Sequence, residues 1–236
     1  MSESREPLRR EEFLEWMRRE GRARYHDRHP FHVRMNEGRL SPHELRVWVQ
    51  NRYYYQTRIP IKDALIVAKS EDPAFRRSWI RRIHDHDGDS ATGGGLELWQ
   101  KLGEAVGVPR DEIVSLRGVL PGVRFACDAY VQLVREAPLV VAVASSLTEL
   151  FAPELMSRRI EAFERHYSFL DPSALDYFRS RVPRARHDGE EAVAFVLDHA
   201  RDHETQAACV DALVRKTEIL WHLLDCVMWA TGEART

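Results

Sequence analysis

Cysteine is scarce in this chain of 236 residues: Cys127, Cys209 and Cys226 are odd in number and show no CxxC spacing. Neither a disulfide framework nor a zinc ribbon is indicated, and the pattern suits a reducing, cytoplasmic setting. Lysine is nearly missing. Lys62, Lys69, Lys101 and Lys216 are the four lysines among 35 basic residues, so the remaining cations are arginines, whose planar forks grip carboxylates well. An excess of one charge is also absent, with 35 Lys and Arg against 37 Asp and Glu. Nothing in that balance suggests a nucleic-acid partner or a polybasic membrane binder. The most apolar run, PLVVAVASSLTELFAP at 138–153, is too short and too polar for a membrane span and reads as a helix buried on all sides. The first residues, MSESREPLRREE, are too charged for a signal peptide.

Strand signals are few and helix signals many. Ser41 to Glu44, SPHE, is a capping box with Pro42 at the first helical position, and Asp72-Pro73 and Asp171-Pro172 repeat the cap-then-proline pattern. Patterning predicts helices near 9–22, 42–56, 58–70, 73–86, 95–106, 122–136, 139–151, 153–166, 172–200 and 206–230, with Pro183 expected to bend or break the ninth. The loop GDSATGGG at 88–95 looks the most flexible. There is no repeat or linker. The expectation is one all-α domain over 1–236, an irregular compact bundle, with flexible ends at 1–8 and 232–236.

Helical periodicity places several charged residues on inward faces. Lys216 shares a stripe with Leu213, Leu220 and Leu224, Arg159 lies between Leu155 and Phe163, and Arg52 is flanked by Trp48 and Tyr55. Tyr177 and Arg181 share a face, as do Arg82 and His86, while Glu149 is the single anion placed inside. Burying unpaired charge is costly, so each could belong to an internal ion network; the surplus of cations instead suggests a cavity for a polyanionic small molecule. Of Tyr53, Tyr54 and Tyr55, at most two can face such a cavity. The cluster RRIHDHDGD at 81–89 invites a metal, but His84 and His86 cannot face one way on a helix. His199 and His203 have the four-residue spacing that suits a metal, yet no Glu-x-x-His motif of a di-iron bundle exists in the chain, and they read better as a solvated face. No metal ligand is assigned.

Five blocks carry a resemblance: NRYYYQTRIPIKDA (51–64), RRIHDHDG (81–88), LPGVRFACDAYV (120–131), SSLTELFAPE (145–154) and YFRSR (177–181). Together they resemble the pyrroloquinoline-quinone (PQQ) synthases, from about Tyr25 to about Trp229. The resemblance implies a heme-oxygenase-like helical bundle, a homodimer with its site at the centre. It implies ring closure and oxidation of a bicyclic quinoline precursor bearing ring carboxylates and an amino-acid arm, with O2 as acceptor, hydrogen peroxide released and PQQ as product. No metal or organic cofactor is implied. By match to the family, His86 is the base and proton shuttle, with Tyr177 and Arg181 as further core groups. Arg52, Gln56, Lys62, Arg82, Arg159 and Lys216 match binders of carboxylates and carbonyls, and Tyr25, His26, Tyr55, Tyr130, Thr148 and Glu149 match polar neighbours of the ring.

The residue types suit that chemistry. Oxidation removes protons, for which a near-neutral base such as His86 is apt, and O2 becomes anionic before it is protonated, which a fixed cation such as Arg181 would stabilise. One departure stands out: where the family usually has histidine after LFAP, this chain has Met156. Two other readings remain: a metal-dependent di-iron oxidase on the same bundle, and a non-catalytic PQQ carrier, which Met156 favours.

Overall fold

Capping chemistry sets the helix starts. Ser41 Oγ accepts from the Glu44 amide while Glu44 accepts the Ser41 amide at 2.7 Å, so the capping box closes as its sequence predicts. Asp72 caps the amides of Ala74 and Phe75, and Asp202 caps that of Thr205. The computed structural model describes residues 6–89, 91 and 93–232. Residues 1–5 and 233–236, within the ends expected to be flexible, and Ser90 and Thr92 of the 88–95 loop lie outside the described residues.

Among the described residues there are helices and no strands. The helices are α1 (Arg10–Arg24), α2 (Pro30–Asn36), α3 (Pro42–Ala68), α4 (Pro73–Trp79), α5 (Arg81–Asp87) and α6 (Gly94–Ala105). They continue with α7 (Arg110–Ser115), α8 (Pro121–Glu136), α9 (Leu139–Ala144), α10 (Ala152–His166), α11 (Asp176–His199) and α12 (His203–Ala230). Short 3-10 turns occupy His26–Arg28, Leu147–Leu150 and Pro172–Leu175.

Helix α3 is the axis of the bundle. Leu45, Trp48, Val49, Arg52, Tyr55 and Gln56 are all buried along it, against α5, α6, α8 and α12. An aromatic ladder ties its neighbours to it: Phe163 to Trp48, Trp48 to Trp99 and Trp99 to Tyr177, with centroids 6.4, 5.4 and 4.8 Å apart. Trp99 also donates its indole N–H to the Val49 carbonyl at 3.0 Å. Tilted and edge-on ring pairs of this kind are directional, so the ladder fixes where Tyr177 points.

Several boundaries differ from expectation, each for a physical reason. The helices expected at 42–56 and 58–70 are one, α3 running through Pro60, because burial on most sides outweighs the local preference against helix before proline. The expected 73–86 helix is two, jointed at Ile80, which lets α5 turn Arg82 and His86 inward. Gly88, at φ 84°, then stops α5 in a conformation suited to glycine. The apolar segment expected as one helix at 139–151 breaks into α9 and the Leu147–Leu150 turn; Ala142–Thr148 is buried throughout, as expected of its apolarity. Pro183 does not break α11. It lies on the exposed side, where the carbonyl it leaves unbonded can meet water. Helices α2 and α7 were not foreseen, although His29-Pro30 repeats the cap-then-proline pattern: His29 Nδ1 accepts from the Phe31 amide.

Replacing Ser41 with alanine should remove one helix cap of α3 and cost about 1 kcal/mol. In a urea titration the midpoint should fall with the slope unchanged; an unshifted midpoint would mean that packing alone sets the α3 start.

Candidate active site

Six basic side chains are buried inside the bundle: Arg52, Lys62, Arg82, Arg159, Arg181 and Lys216. Three have carboxylate partners. Lys62 bonds to Asp63 at 2.6 Å, Arg82 to Glu149 at 2.6 Å, and Arg181 to Asp188 at 3.5 Å, where Asp188 also lies 3.9 Å from Arg82. The other three have none among the described residues. Arg52 lies over the Tyr55 ring at 4.0 Å. Arg159 donates to His32 Nε2 at 3.0 Å and sits over Trp48 at 5.0 Å. Lys216 Nζ lies between the stacked rings of Tyr130 and Tyr55, at 3.3 and 4.1 Å, with no hydrogen bond. Burial, then the neighbouring Arg52, pushes the Lys216 ammonium well below its usual range and brings Arg159 down to about 9. The two tyrosine faces at Lys216 act the other way, favouring its charge.

These groups surround a cavity at the centre of the bundle. Tyr25, His26, Arg52, Tyr55, Gln56, His86, Thr148, Glu149, Tyr177 and Arg181 line it, with Met156 and Leu155 as apolar wall. Lys62, Arg82, Tyr130, Arg159 and Lys216, also singled out from the sequence, do not line it. They sit one layer behind, each held by the contacts above. Lys62 additionally donates to Ser146 at 2.8 Å, and Arg82 stacks on Trp79 at 3.8 Å. Tyr55 is the one tyrosine of its trio at the cavity; Tyr54 donates to Asp128 and Tyr53 accepts from Gln100. The free space is about 60 Å3, room for a few waters, so a fused-ring ligand enters only if the lining parts.

Unused hydrogen-bonding atoms point to what the cavity takes. His86 donates Nδ1–H to the Arg82 carbonyl at 3.0 Å, which leaves Nε2 as a bare acceptor; that atom is buried with no partner. Burial, then Arg181, holds the imidazole well below its usual pKa, so it is neutral near pH 7. Tyr177 donates to Gln56 Oε1 at 2.9 Å, leaving Gln56 Nε2 unpartnered, as is Arg181 Nη1. The cavity thus presents two imidazoles with unpartnered nitrogens, His86 Nε2 and His26 Nδ1, beside free amide and guanidinium donors. That combination suits a ligand that carries carbonyls or carboxylates and gives up protons.

Among the described residues, no group of three or more His, Cys, Asp and Glu side chains is arranged to hold a metal ion. His199 ends α11 and His203 begins α12, so the pair does not share one helix face as its spacing suggested. His84 is exposed, off the site.

The family model described as TENA/THI-4/PQQC matches residues 15–226. The chain belongs to this family. Within it, the chain is similar to the pyrroloquinoline-quinone synthase of Rhizobium rhizogenes, 51% identical over 94% of this chain and 90% of the relative. It is likewise 47% identical to that of Pseudomonas aeruginosa, over 96% of this chain and 90% of the relative. Among solved structures it resembles a protein of unknown function with a heme oxygenase-like fold from Shewanella denitrificans, with a TM-score of 0.77, 12% identity and 97% of each chain covered. A TenA homolog from Pseudomonas syringae aligns at TM-score 0.74 with 16% identity over 93% of this chain and 92% of that one. The heme-oxygenase-like bundle expected from the sequence is therefore the fold.

Three buried polar residues around this cavity escaped the sequence. Asp63 and Asp188 are buried anions that act with Glu149 on Arg82, and His32 steadies Arg159 while donating Nδ1–H to the His26 carbonyl at 2.9 Å. Asp188 lies seven residues after Arg181, two helical turns along one face, a spacing that marks the pair. Asp63 follows Lys62 directly and gives no periodic signal.

Burial, then repulsion from Glu149, raises the Asp188 carboxyl to about 6. A carboxyl raised by folding favours the folded state when protonated. Its contribution is complete below about pH 4 and is lost as pH rises through about 6. Asp188→Asn should therefore gain on the parent as pH rises from 4 to 7. Urea unfolding of both proteins at several pH values checks this, and a variant that holds level with or loses ground to the parent over that range would contradict the assignment.

Proposed function

We propose that the chain catalyses ring closure and O2-dependent oxidation of a quinoline precursor with ring carboxylates to PQQ, releasing hydrogen peroxide. It acts as a cytoplasmic homodimer without a metal or organic cofactor. The observation that carries the reading is His86 Nε2: a neutral imidazole nitrogen with its lone pair free, buried in a cavity lined by Arg52, which has no carboxylate partner, and by Arg181, whose Nη1 is free. Near-50% identity to PQQ synthases over nearly the whole chain supports it.

Arg52 and Arg181 meet the carboxylates and carbonyls of the precursor, with Gln56 Nε2 as a further donor. Arg159 and Lys216, one layer back, add positive potential in a site of low dielectric. His86 Nε2 takes a proton from the precursor, and its Nδ1–H stays on the Arg82 carbonyl, so the imidazolium is held in place. Each two-electron oxidation passes two electrons and two protons to O2, giving one H2O2. Arg181 Nη1, unpaired in the resting site, lies ready for negative charge on reducing oxygen. Tyr177 takes a fixed orientation from Gln56 and the Trp99 ring. The closed lining keeps bulk water from reactive intermediates.

Aerobic incubation with the precursor, followed by absorbance and oxygen uptake, tests the reading. Appearance of the PQQ spectrum with oxygen consumption supports it; PQQ binding without oxygen uptake assigns a carrier instead. His86→Ala should fold and bind PQQ but oxidise at least a hundredfold more slowly, the size expected for loss of a general base. Parental oxygen consumption in that variant would remove His86 from the role.

Met156 lines the cavity where histidine is usual by resemblance. Its thioether packs but donates no proton. A hydrogen bond to a charged group contributes about 1.5–3 kcal/mol, or roughly ten- to hundredfold in rate if made only in the transition state. Met156→His should speed oxidation by that order and leave PQQ affinity within a few-fold. Single-turnover spectra at one oxygen pressure decide it, and unchanged or slower oxidation phases would refute it.

A further inference from the structure

Several arginines outside the cavity form no ion pair among the described residues, and three of them gather at one basin. Arg18 and Arg22 on α1 and Arg28 on the following 3-10 turn form no ion pair or side-chain hydrogen bond among the described residues. Their neighbours are engaged: Arg19 with Glu20 at 3.2 Å, and Arg158 with Glu154 and, at 3.9 Å, with Asp27. The free three border one basin of about 650 Å3, whose acidic lining is Glu15 and Glu154. Adjoining it, Arg22, Arg28 and Arg158, the last paired with the carboxylates Asp27 and Glu154 that also line the space, surround a recess of about 220 Å3 that ends on Tyr25 and Leu155.

Tyr25 and Leu155 also line the catalytic cavity, so one wall separates the two spaces. Phe151 completes that wall from the basin side, its ring 5.2 Å from that of Tyr25. Gly21 makes room for it: a Cβ there would lie 2.6 Å from the Phe151 ring. The inner space holds only a few waters, whereas the basin has the size of an ordinary ligand site. Encounter and entry are therefore separate events, and the encounter surface is lined by unpaired guanidinium forks, which suit carboxylates.

We propose that the basin is an outer anion station, where the polycarboxylate ligand docks on Arg22 and Arg28 before the Tyr25–Phe151 wall parts to admit it. The proposal rests on the reading of the ligand given above. None of these arginines belongs to the catalytic cavity, so their effect falls on association and not on chemistry.

Stopped-flow binding of PQQ at about 20–300 mM salt tests it, a range over which screening sharply weakens exposed charge interactions. Arg22→Gln with Arg28→Gln should slow association roughly five- to twentyfold at low salt and flatten its salt dependence. Dissociation and single-turnover oxidation of prebound precursor should stay within about twofold of the parent. The Lys pair, Arg22→Lys with Arg28→Lys, should keep most of the association rate because it keeps the charge. A parent that binds PQQ, with the Gln pair associating at the parental rate and salt slope, overturns the station alone. A parent that binds no PQQ overturns the station together with the proposed function.

Discussion

Too few carboxylates for the buried cations is the constraint on which the site depends. Lys62, Arg82 and Arg181 are paired with Asp63, Glu149 and Asp188, but Arg52, Arg159 and Lys216 are left to aromatic faces and one imidazole. A core tolerates unpaired charge poorly, since the desolvation of each ion is large. The fold offsets it in two ways. Ring faces of Tyr55, Tyr130 and Trp48 stand against the cations, and the cavity beside them stays polar. An anionic ligand completes the balance, so the strain in the free site is also the source of its affinity.

Precision in that site comes from apolar packing. Tyr177 is set by Trp99, which is set by Trp48 and by a bond to the Val49 carbonyl. His86 is set by its bond to the Arg82 carbonyl, and Arg82 by Glu149, Asp188 and Trp79. Each polar group at the cavity therefore rests on a rigid partner one layer out, which keeps reacting atoms in place without reorganisation.

The bundle is shared with structures at 12% and 16% identity, so the architecture tolerates wide change in sequence. A fold by itself does not fix chemistry, which follows the inward side chains. In this chain those side chains include a neutral histidine with a free nitrogen and a methionine at the wall. The first suits proton transfer, and the second removes a donor without disturbing the packing of α10, where Met156 and Arg159 are both buried.

The helical class, the capped starts of α3 and α4 and the inward cations were legible in the sequence because they depend on local chemistry and 3.6-residue periodicity. The blocks resembling PQQ synthases were legible for the same reason, being contiguous. Which cations line the cavity and which stand behind it was decided by the tertiary structure, since periodicity gives a face and not a depth. The same holds for Asp63 and His32, whose partners Trp79 and Arg159 lie 16 and 127 residues away. Continuity of α3 through Pro60 and of α11 through Pro183, the joint at Ile80 and the break after Ala144 were likewise set by packing. Local propensity differs by about 1 kcal/mol or less per ordinary residue, and burial of one large side chain in the bundle outweighs it.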